Sequence, residues 1–189
     1  MQPCLNIQIP LLLLCDRTHC FQYDIAVERL FMFREIMRYK QALSDEQCIE
    51  ILKQTKRGVL SVYGTEGYPY GLPIDHWYCE ENGKLYFHCG KAGHKLDALC
   101  KDPRVCYTVY GDGETVEGQW ALYFRSVIVF GEIAFVEDEE RIADICRQLS
   151  YKFTADENYI EKEIAGHLTA TLVLELTPHH ISGKRVQES

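Results

Sequence analysis

Tyr86-Phe87-His88-Cys89-Gly90-Lys91-Ala92-Gly93-His94-Lys95-Leu96-Asp97 changes character twice within a single short stretch. An aromatic alternating run reads as a strand and glycines open a loop. Leu96, Leu99 and Cys100 then share one face of a helix that Asp102-Pro103 ends, because proline cannot continue the hydrogen-bond ladder. A strand feeding a glycine loop and then a helix leaves free backbone N–H groups at the helix start, here beside Lys91, His94 and Lys95. That arrangement suits an anion; a solvated basic loop fits the same residues.

On the strand itself, His88 shares a face with Tyr86 while Leu85, Phe87 and Cys89 point the other way. Alone, such a histidine reads as half-buried and bonded to a carbonyl; its place just before the loop also lets it meet a ligand. Arg125 falls on one strand face with Tyr123, Val127 and Val129, so it needs either a ligand phosphate or a buried partner such as Asp75 or Glu132. Asp75-His76-Trp77 offers a planar wall and polar groups for a flat ligand, although a strand tryptophan is usually core.

Outward from this stretch the pattern stays mostly β. Ser44 with Gln47 has the form of a capping box for a helix carrying Ile49 and Leu52, with Gly58 as its stop. Strand patterns occupy 59–63, 68–80, 84–89, 104–110, 123–136 and 169–176. Asp138 caps a helix whose Ile142, Ile145, Cys146 and Leu149 form a core-facing stripe, and a weaker helical segment covers 157–165. Strands joined largely by tight turns, with helices inserted between some, predict an antiparallel barrel with added helices rather than a doubly wound sheet. No G-x-G-x-x-G follows a strand, so a dinucleotide fold is not supported.

Composition narrows the function classes. A formal charge of −8 argues against non-specific nucleic-acid binding. No apolar stretch approaches the ~20 residues of a membrane span, so no membrane partner is expected. The nine cysteines are odd in number and lack a C-x-x-C pair, which reads as reduced thiols in a cytoplasmic protein. His179-His180 with Cys79, Cys89 and Cys100 lacks zinc-site spacing, so no metal is expected. Residues 1–36 show no convincing periodicity and read as a disordered extension or a start assigned too early, with Met32 or Met37 as alternative initiators. Residues 37–189 read as one domain.

Four pieces then occur in order: Gly67-Tyr68-Pro69-Tyr70-Gly71-Leu72-Pro73; Leu85-Tyr86-Phe87-His88 with Gly93-His94-Lys95-Leu96-Asp97; Phe124-Arg125-Ser126-Val127-Ile128-Val129-Phe130-Gly131; and Ile181-Ser182-Gly183-Lys184. Through them the chain resembles the nitroimidazole-resistance branch of the pyridoxamine 5'-phosphate oxidase-like flavoproteins. The resemblance implies a mainly β, six-stranded antiparallel split β-barrel of the FMN-binding type, with FMN in a groove at a homodimer interface. It implies that Leu72, Pro73, Ile74 and Asp75 face the ring edge and that His88, Cys89, Gly90, Lys91, His94 and Lys95 lie on the phosphate side. Arg125 and Ser126 would belong to the strand signature that completes the groove. His88 is implied as the catalytic proton donor in FMN-dependent reduction of a nitro group on a small-molecule electron acceptor. Cys89 departs from the small hydroxyl residue common there. Two alternatives stand beside this: a flavin- or haem-binding protein without turnover, and an oxidase-like enzyme with another substrate. A true pyridoxamine phosphate oxidase is disfavoured, because its terminal arginine-x-histidine pattern is replaced by Ser182-Gly183-Lys184-Arg185.

Overall fold

Helix α1 (Asp45–Gln54) starts as the sequence reads: the Gln47 amide donates to Ser44 Oγ at 3.3 Å and the Ser44 amide to Gln47 Oε1 at 3.0 Å. It ends before Gly58, which instead lies in strand β1 (Arg57–Tyr63). A Cβ at Gly58 would come within 2.5 Å of the Thr108 carbonyl and 2.7 Å of the Tyr107 ring, so close strand packing is what requires glycine there. The computed structural model describes residues 33–118 and 120–186, and every element below belongs to the unit Ile36–Ser189. The expected extension, with the Met32 start, lies outside the described residues as far as position 32.

The remaining elements are β2 (Pro69–Asp75), β3 (Trp77–Cys79), β4 (Lys84–Gly90), α2 (His94–Lys101), β5 (Arg104–Tyr110), β6 (Glu114–Thr115), β7 (Leu122–Val136), α3 (Glu139–Ser150), α4 (Glu157–His167) and β8 (Thr171–Val186). The sheet is antiparallel in the order β2-β1-β5-β7-β8-β4-β3, with β6 paired to β7. Its two end strands, β2 and β3, are consecutive in the chain, so the sheet curls into a half-barrel split between them. Among the described residues the architecture is a mainly β, antiparallel half-barrel with four α-helices, as expected, but the sheet has eight strands and not six. The run read as one strand over 68–80 breaks at His76, whose amide turns to the Lys56 carbonyl (3.2 Å) and whose ring is buried. The two-residue β6 was too short to read. The last strand continues to Val186, past Pro178, through a register shift at Phe130/Gly131. Gly131 is needed at that shift because a Cβ would run into the Thr177 carbonyl.

Leu60, Val62, Leu85, Phe87, Tyr107, Val109, Val127, Val129, Leu174 and Leu176 fill the barrel; each contributes roughly 1.5–3 kcal/mol by burial. On the other side of β4 and β8, Tyr86, Val173 and Val136 pack under Ile142 and Ile145 of α3. Buried Glu175 ties that layer together, accepting from Lys84 Nζ at 2.5 Å, the Tyr86 hydroxyl at 3.0 Å and Arg141. Burial alone would raise the Glu175 pKa, but these donors together hold it below the usual carboxylate value. The face of β1, β5, β7 and β8 turned away from the barrel carries a level array in register: Val59–Thr108–Ile128–Ser182 and Ser61–Cys106–Phe130–His180. These side chains are half-buried or, at Ile128, exposed.

No helix among the described residues is long and apolar enough to cross a membrane, and no group of three His, Cys, Asp or Glu could hold a metal ion.

Candidate functional site

The loop from β4 into α2 is built as the sequence suggests. Gly93 caps α2 with φ +127°, a value that glycine adopts readily, and no side chain caps the helix start. A Cβ at Gly90 or Gly93 would meet nothing within 4 Å, so the loop's surface is open. Lys91 is exposed and Lys95 half-buried. The Lys95 ammonium lies close enough to the Cys89 thiol to favour its thiolate; burial nevertheless pushes that thiol's pKa above its usual value. His94 has a partner of its own, stacking on Tyr70 with ring centroids 4.3 Å apart and bringing Nε2 within 3.0 Å of the Glu66 carboxylate. That pair pins the loop to the β1–β2 turn, so His94 serves first to hold the loop.

Strand β2 is an end strand, so residues 72–75 lie on an edge of the sheet that no further strand in the order pairs. Leu72 and Ile74 pack toward the core while Pro73 is exposed, consistent with proline's restriction to sheet edges. Asp75 is held by Arg57, with Nε–Oδ1 at 2.6 Å and a second bond at 3.0 Å. It is therefore not the partner of Arg125.

His88 projects from the opposite face of β4 to Cys89, as the alternation requires, so the two side chains cannot both face one phosphate. It lines two adjoining clefts under the α3–α4 hairpin. One, of about 270 Å³, is walled by Asp75, Leu149, Phe153, Tyr159 and Glu163; the other, of about 230 Å³, by Cys146, Ile164, His167 and Thr171. Ser150 and Glu163 border both. No hydrogen bond engages the His88 ring among the described residues, so the expected carbonyl partner is absent there. Although His88 reaches solvent, the protein packed around its ring lowers its pKa below 6.5, with Asp75 opposing and Lys95 adding to the effect. The imidazole is therefore mainly neutral at pH 7.

Arg125 and Ser126 lie elsewhere in the chain. Arg125 pairs in register with Arg185 near the end of β8, whereas Gly90 pairs with Thr171 at its start. Both arginines are exposed and line a separate cleft of about 450 Å³ with Asp112, Glu114 and Tyr123. Within one chain, Arg125 and Lys91–Lys95 do not form one site. Ser126 lies on the level outer face of the sheet, across from Tyr110 and Lys184.

The sequence reading missed the hairpin's contribution. Lys152, between α3 and α4, donates to the Thr55 carbonyl at 2.6 Å and the His76 carbonyl at 2.9 Å, and burial lowers its pKa to about 8. Phe153 beside it lies 5.1 Å from the Lys56 ammonium. The half-exposed aromatics Phe153 and Tyr159 were the one available signal. Trp77, expected as a wall for a ligand, stacks on Tyr86 at 5.4 Å within the structural layer.

A split antiparallel barrel whose β4 ends in a glycine-bordered cationic loop at a helix start defines a class of small barrel proteins. The chain belongs to the family described as pyridoxamine 5'-phosphate oxidase, whose profile matches residues 44–185. The flavocytochrome Anf3 from Azotobacter vinelandii is similar at 25% identity and TM-score 0.65, over 82% of this chain and 73% of that one. A candidate 5-nitroimidazole antibiotic resistance protein from Bacteroides thetaiotaomicron is similar at 20% identity and TM-score 0.63, over 78% and 90%. An FAD- and haem-binding protein from Mycobacterium smegmatis follows at 20% and 0.62, over 79% and 74%. No curated protein matches the sequence.

Proposed function

We propose that this chain is a flavoprotein that binds FMN at a homodimer interface and passes electrons to a small acceptor of the nitroaromatic kind. The observation that carries this reading is the open, uncapped start of α2 beside Lys91 and Lys95, next to the free edge of β2. The site fits a flavin phosphate: no Cβ crowds Gly90 or Gly93, and Lys91 and Lys95 flank the uncapped helix start in the chain. Family membership and the flavin named for two of the similar structures support it. The level face of β1, β5, β7 and β8 supplies a surface for a second copy, and a dimer would let Arg125 of one chain serve the groove of the other.

When bound, the flavin would supply the two-electron chemistry. Lys91 and Lys95 would hold the phosphate, and the β2 edge would orient the ring through backbone groups. His88, free of hydrogen bonds, would deliver a proton to the acceptor from its cleft. The test is the absorption spectrum of the purified protein, followed by flavin retention in Lys95→Ala with Arg125→Ala. Flavin lost from the double variant is expected; undiminished retention would overturn the phosphate assignment. A haem band beside the flavin band would favour the second reading, a flavin- and haem-binding protein, which the likeness to Anf3 supports.

A further inference from the structure

We infer that the paired clefts under the α3–α4 hairpin form an acceptor pocket selective for flat rings bearing a positive charge or N–H donors, and that Glu163 sets this selectivity. The inference deepens the proposed function by naming the substrate class, and rests on it only in taking His88 as the reacting end.

The shape of the pocket comes first. Phe153 and Tyr159 line the outer cleft, with Leu149 and buried Ile160 between them; Ile164 and Leu168 continue the wall into the inner cleft. Such a lining favours a planar apolar body.

The charge of the lining then decides what that body carries. Asp75 and Glu163 are its acidic groups. Asp75 is neutralised by the two hydrogen bonds from Arg57. Among the described residues, the one ion-pair partner of Glu163 is the imidazole of His167, at 3.7 Å, beyond hydrogen-bond reach. No lysine or arginine lines either cleft: Lys152 binds two backbone carbonyls, Lys56 lies over the Phe153 ring, and Lys95, close enough to His88 to lower its pKa, lies outside the lining. Glu163, from α4, and the unbonded His88, from β4, each border both clefts, so a ring spanning them meets a carboxylate and an imidazole. A phosphate ester or carboxylate placed there would meet Glu163 without a facing cation, whereas an amidinium or a ring N–H would pair with it.

The test uses three isosteric probes, benzamidinium, benzamide and benzoate, titrated into the full-length protein as purified and followed by NMR. Benzamidinium is expected to bind most tightly and benzoate least. Glu163→Gln should weaken benzamidinium roughly fivefold and leave benzamide unchanged, as loss of one partly exposed ion pair predicts. Unchanged benzamide binding also shows that the variant is folded. Equal binding of benzoate, no effect of Glu163→Gln, or no binding of any probe would each overturn the inference. Benzamidinium binding that appears only on dilution to monomer would assign the hairpin face to a second copy instead. The flavin spectrum, read on the same samples, separates this result from the cofactor reading: probe binding without flavin leaves the pocket standing, and flavin without probe binding removes it.

Discussion

The Tyr107 hydroxyl lies 2.8 Å from His76 Nδ1, on a ring whose Nε2 is 2.7 Å from the Leu52 carbonyl. A carbonyl can only accept, so Nε2 carries the proton and Nδ1 accepts from tyrosine. This fixes one neutral tautomer at the joint between β2 and β3. Burial lowers the His76 pKa to about 3 and holds the Tyr107 phenol far above its usual value.

Acid should therefore weaken the fold through His76. The unfolded chain takes up this proton near pH 6.5 and the folded chain only near pH 3, so the stabilisation is complete above 6.5 and is lost as pH falls from 6.5 to 3. The contribution is at most about 1.4 kcal/mol per pH unit. Urea unfolding at pH 7, 5.5 and 4.5 measures it, and His76→Gln should flatten the dependence over that interval. Identical slopes in the two proteins would rule out this origin.

Glu175→Ala should destabilise by about 2 kcal/mol, because Lys84, Tyr86 and Arg141 lose a shared acceptor in a part-buried setting. Thermal melting checks it, with Glu161→Ala as the control; that residue pairs with Arg147 on the surface and should cost no more than about 1 kcal/mol.

Turnover of a nitroaromatic acceptor should rise as pH falls below 6.5, since the lowered His88 pKa leaves little imidazolium at neutral pH. His88→Gln should remove this pH dependence and slow turnover about a hundredfold, the lower range for a lost general acid, with flavin still bound. Loss of flavin without a separate kinetic effect would make His88 a pocket residue only.

Ile128→Asp places a charge in the middle of the level β-face and should convert a dimer to a monomer in sedimentation, with flavin lost in parallel. Cys106, in the adjoining row, should react faster with a thiol reagent in that variant. An unchanged sedimentation coefficient would move the interface elsewhere.

Much of this was legible from local chemistry. Ser44 and Gln47 named their own capping box, Asp138 its helix, and the alternation through Tyr86–Cys89 put His88 and Cys89 on opposite faces. What remained hidden depended on partners distant in sequence. Nothing near Arg125 shows that it faces Arg185 rather than Lys95; nothing near His94 shows that Glu66 and Tyr70 hold it. His76 breaks a strand because Lys56 and Leu52 lie in position to bond it, a fact of packing and not of periodicity.

Strand β8 is the last strand in chain order, yet it lies between β7 and β4 within the sheet. Until it is made, the hairpin of β3 and β4 has no ladder joining it to the β1–β5–β7 half, and β4 and β7 each present an open edge. A topology that defers its central pairing to the final strand closes long loops before gaining contacts, so refolding should fall in the slow range of non-local β-proteins, milliseconds to seconds. The same delay leaves the growing chain dependent on whatever shields its edges during synthesis.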